Sequence, residues 1–243
     1  MASGLVGEGR MAEPEEILSV LESIFSSDLP LIGKKVLVSA GPTFEAIDPV
    51  RFIGNHSSGR MGFALAEELY HLGAEVTLVT GPTAMQTTLP IARINVTTAQ
   101  EMLNACLANF PNSYITIMSA AVADYRPKTV AYKKIKKSNT DLILELEKTV
   151  DILQTLGQQK TTEQILVGFA LETHDEENYA KQKIESKNLD FVVLNSLNDP
   201  GAGFKTNTNK ITIFDKKLSK FVFELKTKQE VAEDICKTVL AEL

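Results

Sequence analysis

Cysteine is scarce: the chain has two in 243 residues. Cys106 and Cys236 lie far apart and form no CxxC pair, which excludes a disulfide scaffold. Three histidines make no HExxH motif and no Cys/His cluster, so no structural zinc site is expected. No apolar run is long enough to span a bilayer, and no secretory signal opens the sequence. The expectation is a reduced, cytoplasmic protein with no membrane partner. A GxGxxG string is missing after the first strand-like run, and no acidic residue caps the second, so the dinucleotide fingerprint is absent. A surplus of positive charge is also lacking. There are 25 basic against 31 acidic residues, a formal net charge of -6. That argues against non-specific binding to nucleic acid, while leaving room for a local basic pocket.

What remains has the composition of a globular protein, 44% hydrophobic and 23% charged, long enough to bury a sizeable core. Residues 1–33 read as an N-terminal extension, with loose glycine-rich sequence and then a helix over 15–25 carrying Ile17, Leu18, Leu21, Ile24 and Phe25 at helical spacing. From residue 34 the pattern changes. Short, continuous apolar runs at 35–40 (KVLVSA) and 75–80 (EVTLVT) predict strands buried on both faces. Between them, 61–72 (MGFALAEELYHL) predicts a helix stopped by Gly73. That is a βαβ unit with a right-handed crossover. The alternation continues with a helix near 98–109 and strands at 114–119, 165–171 and 190–194, with a helix at 175–187 before the last. The tail predicts a β-hairpin, 210–215 with 219–225, and a closing helix at 228–242. The expected fold over 34–243 is α/β: a Rossmann-like, doubly wound, mostly parallel sheet with helices on both faces and a C-terminal antiparallel hairpin.

Open α/β sheets bind ligands where their strands end at the carboxyl edge, and the strand-to-helix connections here are unusual. The first, residues 41–62 (GPTFEAIDPVRFIGNHSSGRMG), is far longer than the usual 2–6 residues. It presents Asp48, Arg51, Asn55, His56, Ser57, Ser58 and Arg60 ahead of a helix. Ser57 or Ser58 with Gly59 would offer backbone N–H groups and a helix dipole to an anion. A serine N-cap on a surface loop would explain the same residues. The second loop, 120–128 (AAVADYRPK), places Asp124 and Arg126 past a strand end, where a carboxylate can bind a metal or a ribose hydroxyl, or merely make a turn. Residues 126–137 (RPKTVAYKKIKK) hold Arg126, Lys128, Lys133, Lys134, Lys136 and Lys137 with no anion among them. Such a cationic strap on an acidic body suits a small polyanion better than a duplex, and a solvated lysine run is the plainer alternative. Gly168 and Phe169, read as lying at a strand end, offer a flat face to a base or simply pack in the core.

Taken together, these strings resemble the phosphopantothenoylcysteine synthetase family. The resemblance rests on AGPTFEAIDPVRFIGNHSSGRMG at 40–62, SAAVADYRPK at 119–128, KKIKK at 133–137, VGFALET at 167–173, KNLDFVVLN at 187–195 and FKTNTNKITIF at 204–214. It covers residues 34–243. Residues 4–18 (GLVGEGRMAEPEEIL) resemble the end of the FMN-dependent decarboxylase fused to such synthetases in bacteria; its flavin-binding body is not in this sequence.

The resemblance implies a ligase that joins 4'-phosphopantothenate to L-cysteine in coenzyme A biosynthesis. The expected co-substrate is CTP, with ATP as the alternative used by animal members, and magnesium bridged by the nucleotide phosphates. An acyl-cytidylate would form with release of pyrophosphate, and cysteine would then displace CMP. The resemblance further implies a homodimer. It assigns Asn55 to orienting the acyl intermediate, Lys134 to catalysis, and Lys136 and Lys137 to phosphate binding. Gly41, Ser57, Ser58, Gly59, Asp124, Gly168 and Phe169 would surround the nucleotide. Ala120, Ala121 and Ala123 would line the substrate pocket, and Arg51 would meet substrate phosphate. The sequence departs from the family in two places. Lys205 and Asn207 stand where a glycine and an acid are usual, and Thr149-Val150 replaces Asn-Pro before Asp151. A nicotinamide-dependent dehydrogenase and a non-catalytic nucleotide-binding module are the rival readings.

Overall fold

The computed structural model describes residues 11–26, 29–137, 141–172, 176–196 and 206–242. Residues 4–10 of the stub, and Phe204 and Lys205 of the tail string, lie outside them.

The chain begins with α1 (Pro14–Ser26), the helix expected at 15–25. Its Ile17, Leu18, Val20 and Leu21 are exposed rather than packed on the core. After β1 (Lys35–Ala40) the long loop folds on itself as a ribbon of β2 (Phe44–Ala46) and β3 (Phe52–Gly54). Then come α2 (Arg60–His71), β4 (Glu75–Thr80), β5 (Ala92–Asn95) and α3 (Ala99–Asn109). Past β6 (Ile115–Met118) a second ribbon pairs β7 (Tyr125–Pro127) with β8 (Leu146–Lys148). The elements α4 (Ile152–Gln159), β9 (Ile165–Glu172), α5 (Glu176–Ser186) and β10 (Phe191–Ser196) complete the wound part. Last are β11 (Thr208–Asn209), β12 (Ile211–Asp215), β13 (Lys220–Val222), β14 (Lys226–Thr227) and α6 (Lys228–Ala241).

The main sheet has eight strands in the order β13-β12-β10-β9-β6-β1-β4-β5. From β10 to β5 the neighbours are parallel, and β12 and β13 add the antiparallel edge. The apolar runs are continuous because both faces are covered. Val36, Val38 and Ala40 of β1 face α2 and α6, whose Phe63, Leu69, Val231 and Ile235 share their cluster. Leu37 faces the other way, toward Met102 and Cys106 of α3 and Leu156 of α4. Each such fully buried aliphatic side chain contributes about 1.5–3 kcal/mol relative to leaving it exposed.

Two strands escape the apolar-run rule. β5, at the outer edge, carries Arg93 and Asn95 and is only half-buried. In β9, Gly168 and Phe169 lie inside the strand, three residues or more before its end at Glu172. They were expected at the strand end; the strand runs on past β6, pairing with Asn195 and Ser196 of β10.

The winding fixes where a ligand can sit. From β1 the chain moves by way of α2 to β4 and β5, then returns by way of α3 to β6 on the other side of β1. The order therefore reverses between β1 and β6, and the crevice outside their carboxyl ends is the topological switch point. The loops at 41–59 and 119–124 both leave from it.

Candidate active site

The two loops are stitched together. The amide of Ala121 donates to Gly41 O at 2.9 Å, and that of Thr43 donates to Ala121 O at 3.3 Å. Ala123 is buried, and its N–H donates to Thr43 Oγ1 at 2.9 Å. Asn55, beyond the β2–β3 ribbon, reaches back: its Nδ2 donates to Ala121 O and to Val122 O, each at 3.1 Å. The two carbonyls thus fix the carboxamide with its nitrogen inward. Thr149, one of the two departures from the family pattern, holds the same loop from behind, with Oγ1 donating to Ala123 O at 2.6 Å and N–H to Asp124 O at 2.9 Å.

Next to this seam starts α2. Its N-cap is Gly59, at φ 81°, with no side-chain cap; the serine cap considered from the sequence is not formed. Ser57 Oγ instead accepts from Gly59 N at 3.3 Å. The left-handed φ explains the choice of glycine. Gly62 then lets the helix start against the strand: a Cβ there would lie 2.5 Å from Ala40 Cβ and 2.7 Å from Ser119 Oγ. First-turn N–H groups without a cap at the positive end of a helix dipole suit an anion.

The lysine strap is tied to the first loop by an ion pair. Asp48 is buried, and Arg51 reaches it through Nε at 3.0 Å and Nη2 at 2.5 Å. The same carboxylate accepts the N–H groups of Val50, Arg51 and Ile135 at 2.8, 2.9 and 3.1 Å. The Arg51 guanidinium beside it, helped by these N–H donors, holds its carboxyl well below the usual carboxylate range. Arg51 Nη2 also donates to Ile135 O at 2.6 Å. Of the strap's cations, Arg126 pairs with Glu147 and Lys128 with Glu145 across the β7–β8 ribbon. Lys133, Lys134, Lys136 and Lys137 are exposed, and among the described residues no carboxylate pairs with them.

A cavity of about 130 Å³ opens at the switch point, lined by residues 57–62, 119–121 and 169–171 and by Asn195, Asn209 and Lys228. Of the site residues expected from the sequence, Ser57, Ser58, Gly59, Ala120, Ala121 and Phe169 share it. Gly41 sits behind the wall, its α-carbon 3.5 Å from where a Gly59 Cβ would be. Gly168 does not belong to it. The pleat turns Gly168 to the opposite face, where a Cβ would meet Leu153 and Leu189 at 2.8 Å, so its task is packing. Asp124, Lys134, Lys136, Lys137 and Arg51 lie outside the cavity walls, on the loop and strap side. The sequence reading assigned no role to Arg60, Asn195, Asn209 and Lys228. Burial and the nearby Arg60 push the Lys228 ammonium down to about 8. A larger open depression of about 960 Å³ lies at the opposite, amino edge, around Lys160, Asp190 and Lys216, away from these loops. Burial pushes the Cys106 thiol up to about 12 and raises that of Cys236, so neither is a nucleophile. No helix among the described residues is long and apolar enough to cross a membrane.

Compared with known families, residues 31–243 match the model of the DNA/pantothenate metabolism flavoprotein C-terminal domain. The chain belongs to that family. A relative named cysteine/cysteine sulfinic acid decarboxylase, from an unknown prokaryotic organism, is 52% identical over 99% of this chain and 68% of its own length. The coenzyme A biosynthesis bifunctional protein CoaBC of Bacillus subtilis is 47% identical over 99% of this chain, which spans only 60% of that protein. The crystal structure of the C-terminal domain of a CoaBC protein superposes with a TM-score of 0.76 at 43% identity, covering 88% of this chain and 98% of that one. The family read from the sequence strings is therefore the family found; the strings at 40–62 and 119–128 form the switch-point loops, and those at 167–173, 187–195 and 204–214 fall on and around β9, β10 and the β11–β12 tail.

Proposed function

We propose that this domain is a phosphopantothenate–cysteine ligase that uses CTP. The observation that carries the reading is that one loop, 41–59, joins three devices: the Asn55 carboxamide held on the 121–122 carbonyls, the uncapped start of α2, and a lysine strap tied through Ile135 to Asp48 and Arg51. The similarity to CoaBC proteins supports it.

The chemistry explains why such an arrangement is useful. A carboxylate is a poor acyl donor, so its oxygen attacks the nucleotide α-phosphorus and pyrophosphate leaves. The cysteine amine then attacks the acyl carbon of the mixed anhydride, and CMP leaves. The first step drives a carboxylate and a phosphate monoester toward a triphosphate, and mutual repulsion is its main obstacle. Cations and N–H dipoles fixed in advance where charge develops are worth several kcal/mol. Lys134, with Lys136 and Lys137, supplies the cations, and the 57–59 turn supplies the dipoles. Asn55 orients the acyl intermediate for the amine. Ala120 and Ala121 line the substrate pocket with Phe169 against the base, Ala123 is buried beneath the loop rather than in the pocket wall, and Asp124 stands on the loop side.

Among the described residues no group of His, Cys, Asp and Glu could hold a metal ion, and the cavity's polar side chains are hydroxyls, carboxamides and cations set among apolar ones. In this reading magnesium enters as part of the substrate MgCTP, which suits an ion that keeps phosphate and water ligands. Exposed Phe52 and Tyr132, 51% and 84% accessible on the ribbon and the strap, fit the homodimer implied by the resemblance. The reaction would run in the cytoplasm, on a chain naturally fused to a flavin-dependent decarboxylase.

The experiment is product analysis: the chain is incubated with 4'-phosphopantothenate, cysteine and either MgCTP or MgATP. Phosphopantothenoylcysteine with CMP is expected from the first mixture, in excess over the second. Absence of the product from both would refute the ligase. A second reading, decarboxylation, has the name of the 52% identical relative in its favour. It requires carbon dioxide release from cysteine without nucleotide.

A further inference from the structure

One wall of the cavity has no task in that scheme. It comes largely from the C-terminal part of the chain: Asn195 at the end of β10, Asn209 on β11 and Lys228 at the start of α6, facing Arg60 at the start of α2. Lys228 is only 5% exposed. Its Nζ donates to Thr206 O at 2.8 Å and its N–H to Asn207 O at 3.0 Å. Arg60 Nη1 donates to Asn207 Oδ1. One short segment, 206–207, thus holds two cations side by side. Asn207 stands where the resemblance places an acid. A carboxamide accepts the same hydrogen bond without neutralising the guanidinium.

The wall also holds acceptors without donors. Asn209 is 3% exposed, and its Oδ1 has no hydrogen-bond partner among the described residues; the Oδ1 of Asn195 is in the same state. The Asn209 amide nitrogen makes a long contact, 3.7 Å to Met61 Sδ. Buried carboxamides left in this state are costly unless a ligand or water satisfies them. Cations and orphan acceptors together ask for one kind of molecule: an anion with an O–H or N–H donor close by.

Building on the ligase reading, we infer that Arg60, Lys228 and the Asn195 and Asn209 carboxamides seat a phosphorylated substrate, the cations taking its phosphate and the carboxamides its hydroxyl or amino donors. Both substrates of the proposed reaction have that chemistry, MgCTP through its triphosphate and ribose, 4'-phosphopantothenate through its phosphate and hydroxyl.

Two titrations on the intact chain separate the sources: the dissociation constant of MgCTP, and that of 4'-phosphopantothenate, each for the wild type, Lys228→Met, Lys228→Arg and Asn209→Asp. Losing a charge-assisted hydrogen bond weakens binding by about 10–100-fold. Lys228→Met should show that loss for one ligand and leave the other within about threefold, which identifies the occupant. Lys228→Arg should restore most of the affinity. Asn209→Asp, which sets a negative charge against the phosphate, should weaken the same ligand. If Lys228→Met loses its melting transition, Lys228→Arg and Asn209→Asp decide. Wild-type affinity for both ligands in these variants would overturn the inference while leaving the ligase reading intact. Failure of the wild type to bind either ligand would overturn both.

Discussion

Both backbone polar groups of Ile135 belong to one ion pair: its N–H donates to Asp48 Oδ2 at 3.1 Å, and its carbonyl accepts from Arg51 Nη2 at 2.6 Å. Lys134 and Lys136 flank Ile135, so their placement is set by a carboxylate of the first loop, seven residues before Asn55. Replacing Asp48 by alanine removes the acceptor of five hydrogen bonds and frees the strap. The expected result is a fall of about 10²-fold in kcat/KM for pyrophosphate release, with binding of inorganic pyrophosphate to the protein changed much less. Steady-state kinetics beside a binding titration would check it.

The same pair sets an acid limit. The Asp48 carboxyl titrates well below the ordinary carboxylate range in the folded chain, chiefly because of Arg51, and at about 3.9 when unfolded. A depressed folded value means that its contribution is fully present above the unfolded value. It is lost as pH falls below about 4. Urea midpoints measured from pH 7 to pH 3 should therefore fall more steeply for the wild type than for Asp48→Asn, and the two should run parallel above about pH 5.

Lys134 and Asn55 should fail at different steps. Lys134→Gln removes a cation aimed at the first step and should slow pyrophosphate release by about 10²–10³-fold. Asn55→Asp places a carboxylate against the carbonyls of Ala121 and Val122, where the wild-type amide donates. It should form the acyl-cytidylate and hold it, giving a burst of pyrophosphate without matching CMP. Quenched-flow analysis of the two products would distinguish them, and equal loss of both products in Asn55→Asp would contradict its assigned role.

The approach of α2 to β1 has no room to spare. Gly62→Ala would put a methyl 2.5 Å from Ala40 Cβ, so the helix start must shift. A loss of about 1–3 kcal/mol in urea denaturation is expected, together with weaker anion binding at the 57–59 turn.

Much of the fold was readable because its signals are local. KVLVSA and EVTLVT announce strands covered on both faces, and the final helix and the first hairpin strand stand within a residue of the expected limits, while the second hairpin strand stops at Val222, three residues early. β5 was not readable, since an edge strand spelled ARIN has no apolar run. The β7–β8 ribbon was also missed, because Arg126 finds Glu147 only after the strap has looped back. At the site, loop length exposed the 41–62 segment, the charged residues past a strand end exposed 120–128, and the family strings did the rest. Gly168 was misplaced because the sequence does not tell which face of a strand a residue takes. Lys228 was invisible for another reason. Its Thr227–Glu230 capping box reads as an ordinary helix start, and only the closing of α6 against α2 brings it to a cavity begun far earlier in the chain.

The most direct measurement is pyrophosphate release from MgCTP, followed with and without 4'-phosphopantothenate in the wild type and in Lys134→Gln. The expected result is release only when both substrates are present, and its near-complete loss in the variant. Release indifferent to phosphopantothenate, or none with either CTP or ATP, would contradict a switch-point site built to bring two anions together.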